Sequence, residues 1–365
     1  MLPFTFLFLA QASTPAQTSV PAQTPLLNGR ALILVAFVLV ALTCLVAIGQ
    51  YIKRQPEANV DQAIIRNFNK RVTSWLIIFV LLVVSVLLNN VIIPVVLFGL
   101  VSFWALREFI TMTPTRSGDH RTLFWVILGF TPLQYVLVGL NYYELFTVVI
   151  PVYASLFIPA RIAFTSDHKR FLERAAKIQF GLLICVYALS HTPALLYLNL
   201  YTRTTGIEGK VPWEGSTAGL LFFFIMIVQF SDMLHFVWDR MFGKHVIAPT
   251  INATKTWEGL IGTACCTALT GMLVQRVLPV TPFTWYGAGF MALLISVMAS
   301  SGSMTMSAIK RDRGVTDYGT LVQGHAGVLD RIDSICFAAP IFFHATRFFL
   351  GSNYCLLYTS PSPRD

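Results

Sequence analysis

A helix crosses a bilayer core with about 20 apolar residues. This chain offers ten such stretches, near residues 31–50, 73–89, 91–106, 122–140, 143–160, 178–198, 217–236, 259–278, 284–302 and 334–350. Residues are 55% hydrophobic and mean hydropathy is +0.67, where a soluble domain of 365 residues would need far more polar surface. The pattern predicts an all-α polytopic membrane protein of about nine to ten transmembrane helices. The second and third stretches lie close enough to form a hairpin about Asn89 and Asn90.

Charge supports the count. Segments 51–72, 107–121, 161–177, 237–258 and 303–333 hold 20 of the 26 Lys and Arg residues, and ten spans put all five on one side. The opposite side has little beyond Arg203, Lys210 and Arg276. By the positive-inside rule the basic side is cytoplasmic. The net charge of +9 then reflects topology and attraction to the anionic headgroups of the lipid bilayer, and no nucleic-acid partner is needed to explain it. Of six cysteines, five fall in apolar stretches and none forms a C-x-x-C pair, which argues against a disulfide framework or a zinc site.

Residues 1–29 read as a signal-like or disordered exoplasmic segment. A short apolar run ends near Ala10-Gln-Ala12, a Thr/Pro/Gln-rich stretch follows, and a basic n-region is missing. Residues 354–365 break from the preceding pattern and read as a non-native tail. Between them, 30–216 is a set of transmembrane helices, and 217–350 adds the polar residues that a purely structural membrane protein would not need.

Those polar residues form two blocks. In the first, Asp232, His235 and Asp239 recur at i, i+3 and i+7, on one face near the end of a helix. Ionisable residues at membrane depth are costly and commonly line a site. The run continues as F-G-K-H, then A-P, then N-A-T-K-T-W-E-G, in which Lys244 and Lys255 suit phosphate and Asn252 or Thr254 suits a helix cap. The consensus G-x-x-x-x-G-K-[ST] is absent, which argues against an ordinary ATPase.

The second block, Ser307 to Asp333, packs Lys310, Arg311, Asp312, Arg313, Asp317, Asp330, Arg331 and Asp333 into 27 residues of a chain that is 12% charged. Asp330 and Asp333, three apart, face one way on a helix, with Arg331 turned aside. Carboxylates beside cations can hold Mg²⁺ while the cations hold phosphates that bridge to it. Mg²⁺ commonly takes one or two carboxylates, so not all three aspartates need be ligands. The plainer alternatives are a salt-bridged cytoplasmic loop for this block and, for Asp232 in the first, an interfacial carboxylate paired with a neighbouring Lys or Arg.

Together the blocks resemble the phosphatidate cytidylyltransferase (CDP-diacylglycerol synthase) family. The resemblance rests on Ser307, Lys310-Arg311, Thr316-Asp317, Gly319, His325-Ala326-Gly327 and Asp330-Arg331-x-Asp333. Upstream it rests on Asp232 followed by F-G-K-H, A-P and K-T-W-E-G, and in all it covers about residues 217–350. The chain departs from the family pattern at Thr316, where a lysine is usual, and at Ala326, Gln323, Met233 and Asp239.

The resemblance implies the reaction of CTP with phosphatidate to give CDP-diacylglycerol and pyrophosphate, in phospholipid biosynthesis. Asp317, Asp330, Lys310, Arg311 and His325 would be catalytic, and Asp232, Lys244, Lys255, Ser307, Arg313 and Arg331 would bind CTP or its phosphates. Asp317, Asp330, Asp232 and Asp333 would serve Mg²⁺ and a second cation such as K⁺. It also implies a homodimer in a bacterial cytoplasmic membrane, its active site facing the cytoplasm. Three other readings remain: a CTP-dependent transferase for another lipid phosphate or alcohol, an inactive CTP- or lipid-binding homologue suggested by Thr316, and, remotely, a transporter. No internal repeat of the kind that transporters carry is evident.

Overall fold

The computed structural model describes residues 26–54, 62–113, 116–165, 168–203, 210–315 and 327–351. Ten helical rods build it. They are α1 (Gly29–Arg54), α2 (Gln62–Leu87), α3 (Ile92–Met112), α4 (His120–Gly139), α5 (Tyr143–Ala163), α6 (Phe171–Tyr197), α7 (Thr217–Phe242), α8 (Trp257–Val277), α9 (Trp285–Asp312) and α10 (Leu329–Leu350). Each of the ten expected stretches is therefore helical. Eight rods are long and apolar enough to cross a membrane; α2 is apolar only over Trp75–Leu87, and α10 opens on charged residues before its apolar part. The chain is an integral membrane protein with an all-α polytopic fold.

Local chemistry sets the turns. Asn89 takes a left-handed conformation (φ 52°) and Asn90 Oδ1 accepts from Ile92 N (3.0 Å), which closes the α2–α3 hairpin at the expected pair. In α4 the ring of Pro132 removes the N–H that Leu128 would receive, and the helix widens to π geometry over Trp125–Phe130. The hydroxyl of Thr131 then donates to the Val126 carbonyl at 2.9 Å. In α5 a π turn spans Val149–Ala154 around Pro151, with the Ser155 hydroxyl on the Ile150 carbonyl at 3.2 Å. By contrast α7, α8 and α9 are uninterrupted.

Helix α7 is central. It packs against α1, α8, α9 and α10, and its Phe222, Phe223 and Phe224 are fully buried. Phe224 stacks on Phe342 of α10, and Phe222 meets Phe79 of α2 edge-on. Helix α1 is peripheral, with Phe37 and Val40 facing outward. Helices α8 and α9 approach through Ala268, Gly271, Ala288, Gly289 and Ala292, small residues that let rods come close. The α9–α10 crossing is tight at Gly302, where an added Cβ would lie 2.8 Å from the carbonyl of Asp333.

Two short antiparallel hairpins join rods. β1 (Tyr201–Arg203) pairs with β2 (Lys210–Pro212) ahead of α7, and β3 (Val246–Ala248) pairs with β4 (Asn252–Thr256) between α7 and α8. Contacts of Glu108 with Val328 and Leu329, Glu173 with Arg313, Ile251 with Arg311 and Asn252 with Ser307 gather four of the five basic segments at one end of the bundle.

Candidate active site

The site grows from the ends of α7, α9 and α10 and from the β3–β4 hairpin. On α7, the expected face divides in two. His235 is buried, and its Nδ1 lies 2.8 Å from Asp239 Oδ2. Asp239 Oδ1 accepts from both the backbone N–H (3.0 Å) and hydroxyl (2.7 Å) of Thr256, while Lys255 Nζ stands 3.9 Å from Oδ2. Asp239 thus ties the end of α7 to the start of α8 and holds Lys255 beside it. Asp232, nearly two turns earlier, does something else: it accepts from the Ser334 hydroxyl of α10 at 2.9 Å.

The cap of α8 differs from expectation. Thr256 caps it, its hydroxyl oxygen accepting from Gly259 N at 3.0 Å. The reason is that residues 252–256 form a strand running directly into the helix, so the cap falls on its last residue. Asn252 Oδ1 instead closes a local turn on Thr254, and its Nδ2 donates to Ser307 Oγ at 3.3 Å. Glu258 fastens the preceding turn: Oε2 accepts from the backbone N–H groups of Lys244 and His245 (3.2 and 3.1 Å), and Oε1 pairs with the His245 ring. The Lys244 residue stays exposed at the rim.

Helix α9 supplies the cations. It stops at Gly314, whose φ of 67° permits the paired bonds Gly314 N to Arg311 O and Val315 N to Lys310 O that close a helix C-terminus. Four residues before that stop, Lys310 Nζ donates to Asp330 Oδ1 at 2.8 Å, with both side chains mostly buried. Arg311 Nε donates to the Ile251 carbonyl (3.3 Å), bracing the hairpin. Arg313 turns outward, to Asp312 at 2.9 Å and Glu173 at 4.0 Å.

Helix α10 supplies the carboxylates. Asp333 Oδ1 accepts from the Ser334 backbone N–H at 2.7 Å, and the charges of Asp232, Asp330 and Lys310 all bear on it. Three aspartates and one lysine therefore converge from three helices. Asp317 and His325, with Thr316, Gln323 and Ala326, lie outside the described residues, and Arg331 sits half-buried on the first turn of α10.

Glu108, near the end of α3, escaped the sequence reading. It is buried at 6% exposure, and its two oxygens accept from the backbone N–H groups of Val328 (3.1 Å) and Leu329 (2.9 Å). A carboxylate at a helix start satisfies otherwise unpaired donors and complements the dipole. Glu108 thus fixes the first turn of the helix bearing Asp330 and Asp333 from some 220 residues away. The only signal in the sequence was a lone acid at the end of an apolar run.

Among the described residues, no three His, Cys, Asp or Glu side chains gather closely enough to hold a metal ion unaided. The donor chemistry nevertheless fits Mg²⁺: Asp232 and Asp333 meet at Ser334 and offer hard oxygens, of which Mg²⁺ takes one or two alongside phosphate oxygens.

Similarity to known proteins runs the same way. The model of the cytidylyltransferase family matches residues 69–349. The chain is 36% identical over 251 residues to the uncharacterized protein YnbB of Escherichia coli (strain K12), covering 69% of this chain and 78% of that protein. It is 36% identical over 137 residues to the phosphatidate cytidylyltransferase of Brucella melitensis, covering 38% of this chain and 49% of the relative. The phosphatidate cytidylyltransferase of Mycobacterium bovis is 35% identical over 124 residues, covering 34% and 39%. The chain therefore spans half or less of these two enzymes. With the family match extending from within α2 almost to the end of α10 and taking in every residue of the candidate site, the protein belongs to the cytidylyltransferase family.

Proposed function

We propose that the protein transfers the cytidylyl group of CTP to phosphatidate, releasing pyrophosphate and forming CDP-diacylglycerol. The observation that carries this reading is the convergence of Asp232, Asp330, Asp333 and Lys310 at the basic end of the bundle. A lipid phosphate at headgroup depth would meet a nucleotide from the cytoplasm there, in a bacterial cytoplasmic membrane.

The chemistry asks little of a general base. An oxygen of the phosphate monoester is already nucleophilic. It attacks the α-phosphorus of CTP, a new P–O bond forms, and the bond to the β-phosphate oxygen breaks to release pyrophosphate. Catalysis is then positioning and charge neutralisation. Lys310 is held by Asp330 in the present geometry and would exchange that partner for a phosphate oxygen. Lys255, Arg311 and Arg331 would neutralise the rest of the triphosphate, with Lys244 and Ser307 at the rim. Asp232, Asp330 and Asp333, with Asp317, would hold Mg²⁺, which would supply charge neutralisation for the phosphates; a second cation such as K⁺ would share the load. His325 would donate to phosphate. A homodimer is the expected assembly.

A second reading has its own support. The similarity to YnbB covers 69% of the chain, whereas that to the Brucella melitensis phosphatidate enzyme covers 38%. The lipid acceptor is therefore the less constrained substrate, and another membrane lipid phosphate or alcohol is the alternative.

The test is pyrophosphate release by the purified protein in detergent with CTP, Mg²⁺ and phosphatidate, each omitted in turn. Dependence on all three is expected. Release with a different lipid but not with phosphatidate would overturn the acceptor, and CTP binding without release for any lipid would mark an inactive homologue.

A further inference from the structure

At the basic end, away from the convergent aspartates, a groove of about 310 Å³ lies between the start of α4 and the end of α5. It is lined by His120, Arg121, Phe124, Trp125 and Arg161. The lining holds two arginines and a histidine and no acid. The acids nearby are committed elsewhere. Asp119, next to His120, is fully buried and takes its hydrogen bonds from Arg174, at 2.9 and 3.0 Å through Nε and again through Nη2. Glu173 is engaged by Lys177, Arg170 and Arg313. Among the described residues neither Arg121 nor Arg161 has an acidic partner. Phe124 and Trp125 are each more than half exposed on the side of the bundle, where rings meet lipid.

We propose that this groove binds the headgroup of one anionic glycerophospholipid, with the phosphate between Arg121 and Arg161 and the acyl chains running over Phe124 and Trp125. Guanidinium groups match phosphate oxygens through paired N–H donors. A basic pocket between transmembrane helices at the interface has the usual form of an anionic-lipid site. The rings distinguish a lipid from a free anion: they add apolar contact only if chains are attached to the phosphate. The site is separate from the convergent aspartates and does not depend on the reaction assigned to them.

The test is native mass spectrometry of the full chain from micelles containing phosphatidylglycerol and an excess of phosphatidylcholine. The wild type should retain one phosphatidylglycerol. Arg121→Gln with Arg161→Gln should weaken retention about 30-fold, the loss of two cations each worth about 1 kcal/mol. The lysine pair should retain it partly, with all variants keeping the wild-type unfolding midpoint. Asp330→Ala should retain the lipid fully, and loss there would place the lipid at the aspartates and overturn the proposal. Equal retention by wild type and the glutamine variant, or equal retention of phosphatidylcholine, would also overturn it. Displacement by inorganic phosphate would show an anion site and not a lipid site.

Discussion

The two halves of the bundle bury polar groups in different ways. In α1–α6 several such groups pair within the half: Ser102 on the Cys185 carbonyl, Gln134 Nε2 on Ser190 (3.0 Å) and the Phe146 carbonyl (2.9 Å), Asp119 on Arg174. These pairs lie within the half and lead nowhere. In α7–α10 the polar groups form chains across elements, from His235 through Asp239 to Thr256 and from Asp232 through Ser334 to Asp333. The first arrangement is what buried polar groups need to fold in an apolar setting. The second gathers charge of both signs in one place, which costs stability and is kept where chemistry needs it. Glu108 connects them, a buried acid of the first half that holds a helix of the second.

The largest expected effect tests the first half. Asp119→Ala strands the buried Arg174 guanidinium and should cost about 3–5 kcal/mol of stability. Thermal unfolding in detergent should show it, while kcat and KM of the folded fraction stay at wild-type values. A selective kinetic loss would dissolve the distinction between the halves.

Next, Asp330→Ala should lower kcat of the folded fraction by about 10²–10³-fold, the scale of losing one preorganised charge contact. Because Lys310 is its partner at 2.8 Å, the double variant with Lys310→Met should fall well short of the product of the single effects. Near-normal turnover in Asp330→Ala at saturating Mg²⁺ would remove the aspartate from the site.

Glu108→Gln should be milder. The amide oxygen can still accept one of the two N–H groups, and the charge at the helix start is lost, so the change is about 1–2 kcal/mol. It should appear in kcat and in the Mg²⁺ concentration needed for half-maximal rate, with Glu108→Asp recovering part. A purely structural role would move the unfolding midpoint alone.

The sequence displayed the rods clearly, because crossing a membrane requires a length of apolar residues that nothing else mimics. The Asn89–Asn90 turn was legible for a local reason, the tolerance of asparagine for positive φ. The candidate site was legible as residue types at one end of the bundle. Its wiring was not. That Asp232 would meet Ser334, and that Glu108 would hold Leu329, depends on contacts across 102 and 221 residues, for which periodicity carries no information. The α8 cap was misplaced for a subtler reason: Asn252, Thr254 and Thr256 all suit a cap, and only the β3–β4 register decides among them.

Caps also give the smallest and most discriminating comparison. Thr256 caps α8 at the basic end, and Thr284 caps α9 at the opposite end by the same bond, from Gly287 N at 3.3 Å. Replacing either by Val removes one hydroxyl acceptor from a helix start and should cost about 1 kcal/mol of stability. Thr284→Val should do nothing more. Thr256→Val also removes the hydroxyl that Asp239 receives, in the network that holds Lys255, so the KM for CTP should rise while kcat changes little. Equal midpoints with unequal KM values would separate the fold's use of a threonine from the site's. Equal KM values would mean that Lys255 is placed by the hairpin backbone alone.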